Sequence, residues 1–359
     1  MIDTERYDVY LFTNVTNNPC VEGLREEIHL YDLNELKLRK AFFKSLQEKR
    51  FFSAFGMLVD YILARISRST CMKVFWACRS LRLSDEVFDC VIAYKPVYIS
   101  VIEALFHIKA SKRAVWIHGA ILGGDNPNRN YLKWLGSFDK AFCVSPAMVD
   151  YFEKICPVMK GRTEIFYNML DTGTILEKAG NNEKIDGSLV LTTVGRLSHE
   201  KGQDMIPQTV RYLLDAGYQV KWYVVGDGPL RKTVQEKCKQ YDVVEEVVLT
   251  GTLSNPYPYM KGCNIYVQTS YEEGWGLTVQ EAKILHKPIV TTDLPAMREQ
   301  IVHMKNGIIT EGISPEALFE GIKTLLDNPA LCAQFTEELK KESHDNTQEL
   351  EKLYAFIES

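Results

Sequence analysis

The chain has 359 residues, 46% of them hydrophobic and 25% charged, with a net charge of −5; this ordinary globular composition excludes long disorder, and the length predicts two domains. It contains no run of 18 uncharged apolar residues, and its opening MIDTERYD lacks the basic start and apolar core of a signal peptide, so neither a spanning helix nor export is expected and the chain is placed in the cytoplasm. Its nine cysteines include no CxxC pair and read as reduced, mostly buried small hydrophobes.

In chain order, short β-branched runs alternate with longer amphipathic stretches, the pattern of βα units and parallel sheets. The first half supplies YDVYLFT (7–13), EIHLYDL (27–33), FDCVIAYK (88–95), RAVWIHG (113–119), KAFCVS (140–145) and TEIFYN (163–168) as predicted strands. Between the second and third lies the segment from Leu36 to Leu83, where eleven Lys or Arg face two acids, Glu48 and Asp60, a local balance of +9 that leaves −14 elsewhere. Phe42, Phe43, Phe51, Phe52 and Phe55 interleave with these charges. Two readings compete: surface helices with a solvated basic face, or an interfacial surface whose cations meet anionic lipid headgroups while the aromatics enter the boundary. No nucleic-acid-binding motif accompanies the segment, so no nucleic-acid partner is expected.

The polar, glycine-bearing DTGTILEKAGNNEKIDGS reads as an interdomain linker. The expected organisation is a first Rossmann-like domain over 1–170, a linker over 171–187, a second such domain over 188–340, and a helix in 341–359 that returns to the first. The second half supplies SLVLTTVG (188–195), YQVKWYVVG (218–226), EVVLTG (246–251), NIYVQTS (264–270), PIVTTD (288–293) and GIIT (307–310). Open α/β sheets bind ligands beyond the carboxyl ends of their strands. That points to GRLSHEKG (195–202) and to YEEGWGLTVQEA (271–282).

In the first of these, Arg196 and Lys201 follow the strand-ending Gly195, in a loop expected to enter a helix near Gly202. A planar fork and a point charge together suit a diphosphate, although two solvated surface cations would look the same. In the second, Gly274 and Gly276 let the backbone approach a ligand, and a helix beginning near Leu277 aims free amides and its positive end at that spot. Glu273 and Glu281 are pure acceptors and suit hydroxyl-rich partners such as a sugar and a ribose. An acid near a helix start is also a common complement to the dipole.

Glu273 and Glu281, with seven residues between them in EGWGLTVQEA, resemble the E-x7-E motif of the family-4 (group 1) retaining glycosyltransferases of the GT-B fold. VGRLSHEKGQD, VVGDGPLR, VVLTG, the long stretch NPYPYMKGCNIYVQTSYEEGWGLTVQEAKILHKPIVTTD, and NGIIT follow that family's C-terminal domain in order and spacing. RAVWIHG, FDKAFCVS and EIFYNMLD resemble its N-terminal domain, so the likeness runs from about residue 7 to 325. It implies an α/β, GT-B architecture of two Rossmann-like domains facing across a cleft. YDVYLFT matches the second strand of the family, so the first domain is expected to lack its opening β-loop-α unit, a truncation being the favoured cause.

The resemblance assigns Arg196 and Lys201 to the donor diphosphate, and the backbone from Gly274 through Gly276, Leu277 and Thr278 to the pyrophosphate loop. It gives Glu281 to the donor ribose, Glu273 to the hydroxyls of the transferred sugar, and His118, at the end of RAVWIHG, to the acceptor side. Glu272 stands one residue out of register with the motif. The implied activity is transfer with retention from a nucleoside-diphosphate sugar, a UDP-sugar being favoured, to a glycan or lipid-linked acceptor, as in bacterial cell-surface polysaccharide synthesis. No Asp-x-Asp pair occurs, so no metal and no cofactor are expected. The expected partners are the nucleotide sugar, the acceptor and an anionic membrane surface met by residues 36–83, on the inner face of the plasma membrane. The rivals are a non-catalytic sugar-nucleotide or lipid-binding relative and a GT-B-fold epimerase. A dinucleotide-dependent dehydrogenase is excluded because no GxGxxG follows a strand.

Overall fold

The computed structural model describes residues 2–13, 27–33, 47, 51–78, 84, 86–119, 121, 127–180 and 189–359. The chain divides into two compact units, Met1–Tyr167 with Thr347–Ser359, and Asn168–Asn346. Each of the twelve predicted runs contains or overlaps a strand, and all named strand pairs are parallel.

The second unit is built on six strands: β7 (Val190–Val194), β8 (Lys221–Val225), β9 (Val247–Gly251), β10 (Ile265–Gln268), β11 (Ile289–Thr291) and β12 (Ile308–Ile309). Helices cover both faces, so the strands read as near-continuous β-branched and aromatic runs. On one face Leu191, Val210, Leu213, Trp222 and Phe335 are fully buried. On the other, Met260, Tyr266, Val279 and Met297 are. The sheet order is β12-β11-β10-β7-β8-β9. The chain therefore winds outward from β7 in one direction, then returns to β7's other side with β10. That reversal opens a crevice beyond the carboxyl ends of β7 and β10, where a doubly wound sheet can take a ligand.

The first unit carries β1 (Tyr10–Thr13) paired with β2 (His29–Asp32), and a separate sheet of β3 (Val87–Ala93), β4 (Lys109–Ile117), β5 (Lys140–Cys143) and β6 (Thr163–Ile165) in that order. β1 and β3 meet through rings, Tyr10 edge-on to Phe88 at 5.0 Å, without ladder bonds. The helix Glu349–Glu358 packs on this unit: Lys352 Nζ donates to the Ile165 carbonyl at 2.9 Å, and Glu349 Oε2 accepts the Tyr167 amide at 2.9 Å.

The stretch expected as a linker, 171–187, contains the helix Thr172–Ala179. Asp171 caps it, accepting the Thr174 amide at 2.9 Å, and Ile175 and Ala179, four apart and so on one face, are buried in the second unit's core. The polar composition concealed that short apolar pair, while 181–188 lies outside the described residues. Of the basic segment, 36–46, 48–50 and 79–83 also lie outside them; the helices Phe51–Ile66 and Thr70–Cys78 are described. Among the described residues no helix is long and apolar enough to cross a membrane.

Candidate functional site

The loop after β7 is pressed against its neighbours by glycines. A methyl carbon on Gly226 would lie 2.0 Å from the Gly195 carbonyl oxygen, and one on Gly228 would lie 2.4 Å from that of Leu197. Leu197 is fully buried and exchanges backbone bonds with Asp227 and Leu230 at 3.0 and 2.9 Å. Its burial leaves the adjacent Arg196 exposed, with no hydrogen bond or salt bridge to its guanidinium among the described residues. Two short 3-10 turns, His199–Lys201 and Gln203–Met205, precede the helix Ile206–Asp215, which starts later than the sequence predicts. Gly202 joins those turns in the left-handed region at φ +64°, and a methyl there would lie 2.1 Å from the Thr269 carbonyl.

The β7 and β10 loops are laced together. Thr269 Oγ1 donates to the Lys201 carbonyl at 2.7 Å, and the amides of Tyr271 and Glu272 donate to that of Glu200 at 2.9 and 3.1 Å. Lys201 Nζ consequently meets Glu273 Oε1 at 2.6 Å, with the Glu273 side chain only 6% exposed. The sequence reading assigned these two residues to different parts of a ligand; the structure pairs them directly. The same oxygen accepts Gln268 Nε2 at 2.7 Å and Ser270 Oγ at 2.9 Å. Glu273 Oε2 has no hydrogen-bond partner among the described residues.

Three residues on, Gly276 takes φ +86°, ψ +62° as the N-cap of the helix Leu277–Ile284. A methyl at Gly276 would strike Met297 Cε at 2.6 Å. No side chain caps this helix. The Leu277 and Thr278 amides therefore remain available beside Glu273, a natural seat for an anion. One turn along, Glu281 accepts from the Tyr257 hydroxyl at 3.2 Å. Burial pushes the Glu281 carboxyl up to about 7, against a smaller lowering by that hydrogen bond.

The site thus offers an exposed cation, a paired cation, two free amides, a buried carboxylate with one unused oxygen and a second carboxyl poised near neutrality. Glu272 is exposed at its rim. Gln268, Ser270, Tyr266 and Tyr257 were missed from sequence. A glutamine ending the buried strand IYVQ is the signal that could have found the first, since a buried amide requires partners.

His118 belongs to the first unit, just past the end of β4. Its ring lies parallel to Trp116 at 5.9 Å and 4.6 Å from Tyr94. Burial lowers its pKa, and its Nε2 is buried without a hydrogen-bond partner among the described residues. It is therefore a neutral imidazole near pH 7, able to orient a hydroxyl but carrying no standing positive charge. Among the described residues no group of three or more His, Cys, Asp or Glu is arranged to hold a metal ion.

Residues 175–342 match the family Glycosyl transferases group 1. Over 180 residues the chain is 27% identical to the N-acetylgalactosamine-N,N'-diacetylbacillosaminyl-diphospho-undecaprenol 4-alpha-N-acetylgalactosaminyltransferase of Campylobacter jejuni, covering 50% of this chain and 48% of that one. It is 26% identical over 163 residues to the capsular polysaccharide biosynthesis glycosyltransferase CapM of Staphylococcus aureus, covering 45% and 42%. The chain spans about half the length of these curated relatives. Among solved structures, a glycosyltransferase from Rickettsia africae superposes with a TM-score of 0.68 at 14% identity, over 99% of this chain and 90% of that one. HepE of Anabaena in complex with UDP superposes with a TM-score of 0.63 at 17% identity, over 80% and 81%. These structural likenesses are of fold.

Proposed function

We propose that this protein transfers a sugar, with retention, from a nucleoside-diphosphate sugar to a glycan or lipid-linked acceptor in cell-surface polysaccharide synthesis; the match of residues 175–342 to the glycosyl transferases group 1 family and the α/β fold shared with a solved glycosyltransferase and with HepE bound to UDP support this reading. The observation that carries the proposal is the convergence of Lys201, Glu273 and the uncapped helix end at Gly276 on the switch point of the six-stranded sheet. UDP is the favoured nucleotide; HepE was solved with UDP-glucose as well as with UDP. The name of the Campylobacter relative, a transferase acting on a diphospho-undecaprenol-linked sugar, supports a lipid-linked acceptor.

In the proposed reaction the anomeric C–O bond breaks and negative charge grows on the departing diphosphate. Lys201, held by Glu273, and the amides of Leu277 and Thr278 are fixed in advance to stabilise that charge, and the exposed Arg196 closes on it when the diphosphate binds. The acceptor oxygen bonds to the anomeric carbon on the same face, and its proton passes to the departing phosphate oxygen. Glu273 presents its unused oxygen to the sugar hydroxyls, Glu281 accepts from the ribose, and neutral His118 orients the acceptor. Charge stabilisation by protein groups makes the proposed reaction metal-independent, so turnover is expected to survive EDTA.

A thermal-shift panel of nucleoside diphosphates and their sugars tests the reading, since a ligand at 100 times its Kd adds about 2.7 kcal/mol of stability. The expected result is stabilisation by one nucleotide class, followed by transfer of labelled sugar with the anomeric configuration kept. No shift by any member would refute the reading. Binding without transfer would favour the non-catalytic rival.

The anionic-membrane role of residues 36–83 belongs to the same proposal. On the helix Phe51–Ile66, Phe55, Leu58, Ile62 and Ile66 recur at helical spacing and are all exposed, with Arg65 stacked 5.2 Å from the Tyr61 ring. Such a face suits a headgroup boundary. Co-sedimentation with vesicles containing phosphatidylserine is expected at low salt, weakening as salt rises; equal recovery with neutral vesicles, or none with either, would remove the membrane role.

A further inference from the structure

Gln268 is the last residue of β10 and is 3% exposed. Its side chain has every hydrogen-bonding position filled. Gln268 Oε1 accepts from the Tyr266 hydroxyl at 2.9 Å and from Thr278 Oγ1 at 3.2 Å. Its Nε2 donates to Ser270 Oγ at 2.9 Å and to Glu273 Oε1 at 2.7 Å. The direction of the amide is dictated by its neighbours, because an ionised Glu273 can only accept and so must face the NH2.

One buried group therefore joins two parts of the site that differ in task. Through Nε2 it helps saturate one oxygen of Glu273, together with Lys201 and Ser270, leaving Oε2 for a ligand. Through Oε1 it ties down Thr278, whose amide is one of the two free donors at the helix start. A buried amide with all of its positions bonded holds the groups it touches in one arrangement. Resting on the transferase reading above, we propose that Gln268 is the positioning residue of the site: it sets the distance and angle between the sugar-facing oxygen of Glu273 and the diphosphate-facing turn at Thr278.

The isosteric Gln268→Glu variant separates positioning from mere packing. It replaces the donating NH2 with an oxygen opposite Glu273, and two carboxylates sharing a site force one to keep its proton to a much higher pH than usual. Among the described residues, Lys201 from the β7 loop pairs with Glu273, and Tyr266, on the same strand and bonded to Gln268, feels the charges of both Glu281 and Glu273. Once protonated, the introduced carboxyl again donates to Glu273, as the amide of Gln268 does.

Transfer is measured at saturating donor, each variant against wild type at the same pH. Misplacement of a reacting group by about 1 Å can cost about 100-fold. Gln268→Leu is expected to lose about 10- to 100-fold in kcat at both pH 6 and pH 8, with a smaller change in KM. Gln268→Glu is expected to lose a similar factor at pH 8 and to return to within about threefold of wild type at pH 6. If Gln268→Leu does not fold, the pH rescue of Gln268→Glu alone decides. Wild-type kcat in either variant at pH 8, or a Gln268→Glu deficit that does not change with pH, would overturn the positioning role while leaving the transferase reading intact. Wild-type protein that transfers from no donor would instead bring down the underlying reading, and this role with it.

Discussion

Lys201→Ala is expected to lower kcat/KM for sugar transfer by about 100- to 1,000-fold, the usual cost of removing one preorganised group from a developing anion. Two effects act in the same direction. The variant removes a cation from the switch point, and it leaves Glu273, 6% exposed at its side chain, as a buried carboxylate without its countercharge. Breaking a buried pair from one side is costly because the remaining charge stays desolvated. Lys201→Arg keeps the charge but exchanges a point donor for a planar fork, and should retain more turnover than the alanine variant. Arg196→Ala is expected to weaken diphosphate binding with little change in folding, since its exposed guanidinium makes no hydrogen bond or salt bridge among the described residues. Steady-state kinetics with the donor found by thermal shift, alongside melting curves, provides the check. Near-wild-type turnover in Lys201→Ala, Arg196→Ala and Glu281→Ala alike would end the assignment.

The second large effect is a pH dependence set by Glu281. Its carboxyl is raised to about 7 by burial, and only the ionised form accepts from both hydroxyls of a ribose. Affinity for the nucleoside diphosphate should be highest well above pH 7, fall as the pH drops through it, and level off once the carboxyl is protonated, since that form still accepts one hydrogen bond. Tyr257→Phe removes the hydrogen bond that favours the anion, so its midpoint should move upward. The consequence for stability has the opposite sign. Unfolded, the group titrates near the ordinary 4.3, so between about pH 4 and 7 the folded state holds the extra proton. Stability is therefore lost as pH rises through that window. Glu281→Gln should raise Tm by a few degrees at pH 8, change it little at pH 4, and remove the pH dependence of nucleotide binding. Binding that stays flat from pH 5.5 to 8 in the wild type would contradict the role given to Glu281.

Parallel strands were legible because buried strands must be apolar on both faces, and runs such as VLTTV and KWYVV have no other economical use. The sequence marked Gly276 as a place where the backbone comes close to a neighbour, and a methyl there would collide with Met297 Cε; the equally tight approach at Gly226 came only from the structure. The helix Thr172–Ala179 was misread because two buried residues in a polar octet make too weak a periodic signal. Helix starts were less secure: the one expected near Gly202 begins at Ile206 after two tight turns.

By itself, the amino-acid order determined the α/β class, the strands and the residue types gathered at 195–202 and 271–282, because those properties follow from local periodicity and short spacing. Only the tertiary structure decided that Lys201 rests on Glu273, 72 positions away, that Gln268 bridges Glu273 to Thr278, and that Tyr257 holds Glu281. Those contacts depend on the return of β10 to β7's open side, and on the burial that return imposes. Hydrogen-bond partners and displaced proton affinities arise from surroundings, and the surroundings of a buried side chain come from segments far from it along the chain.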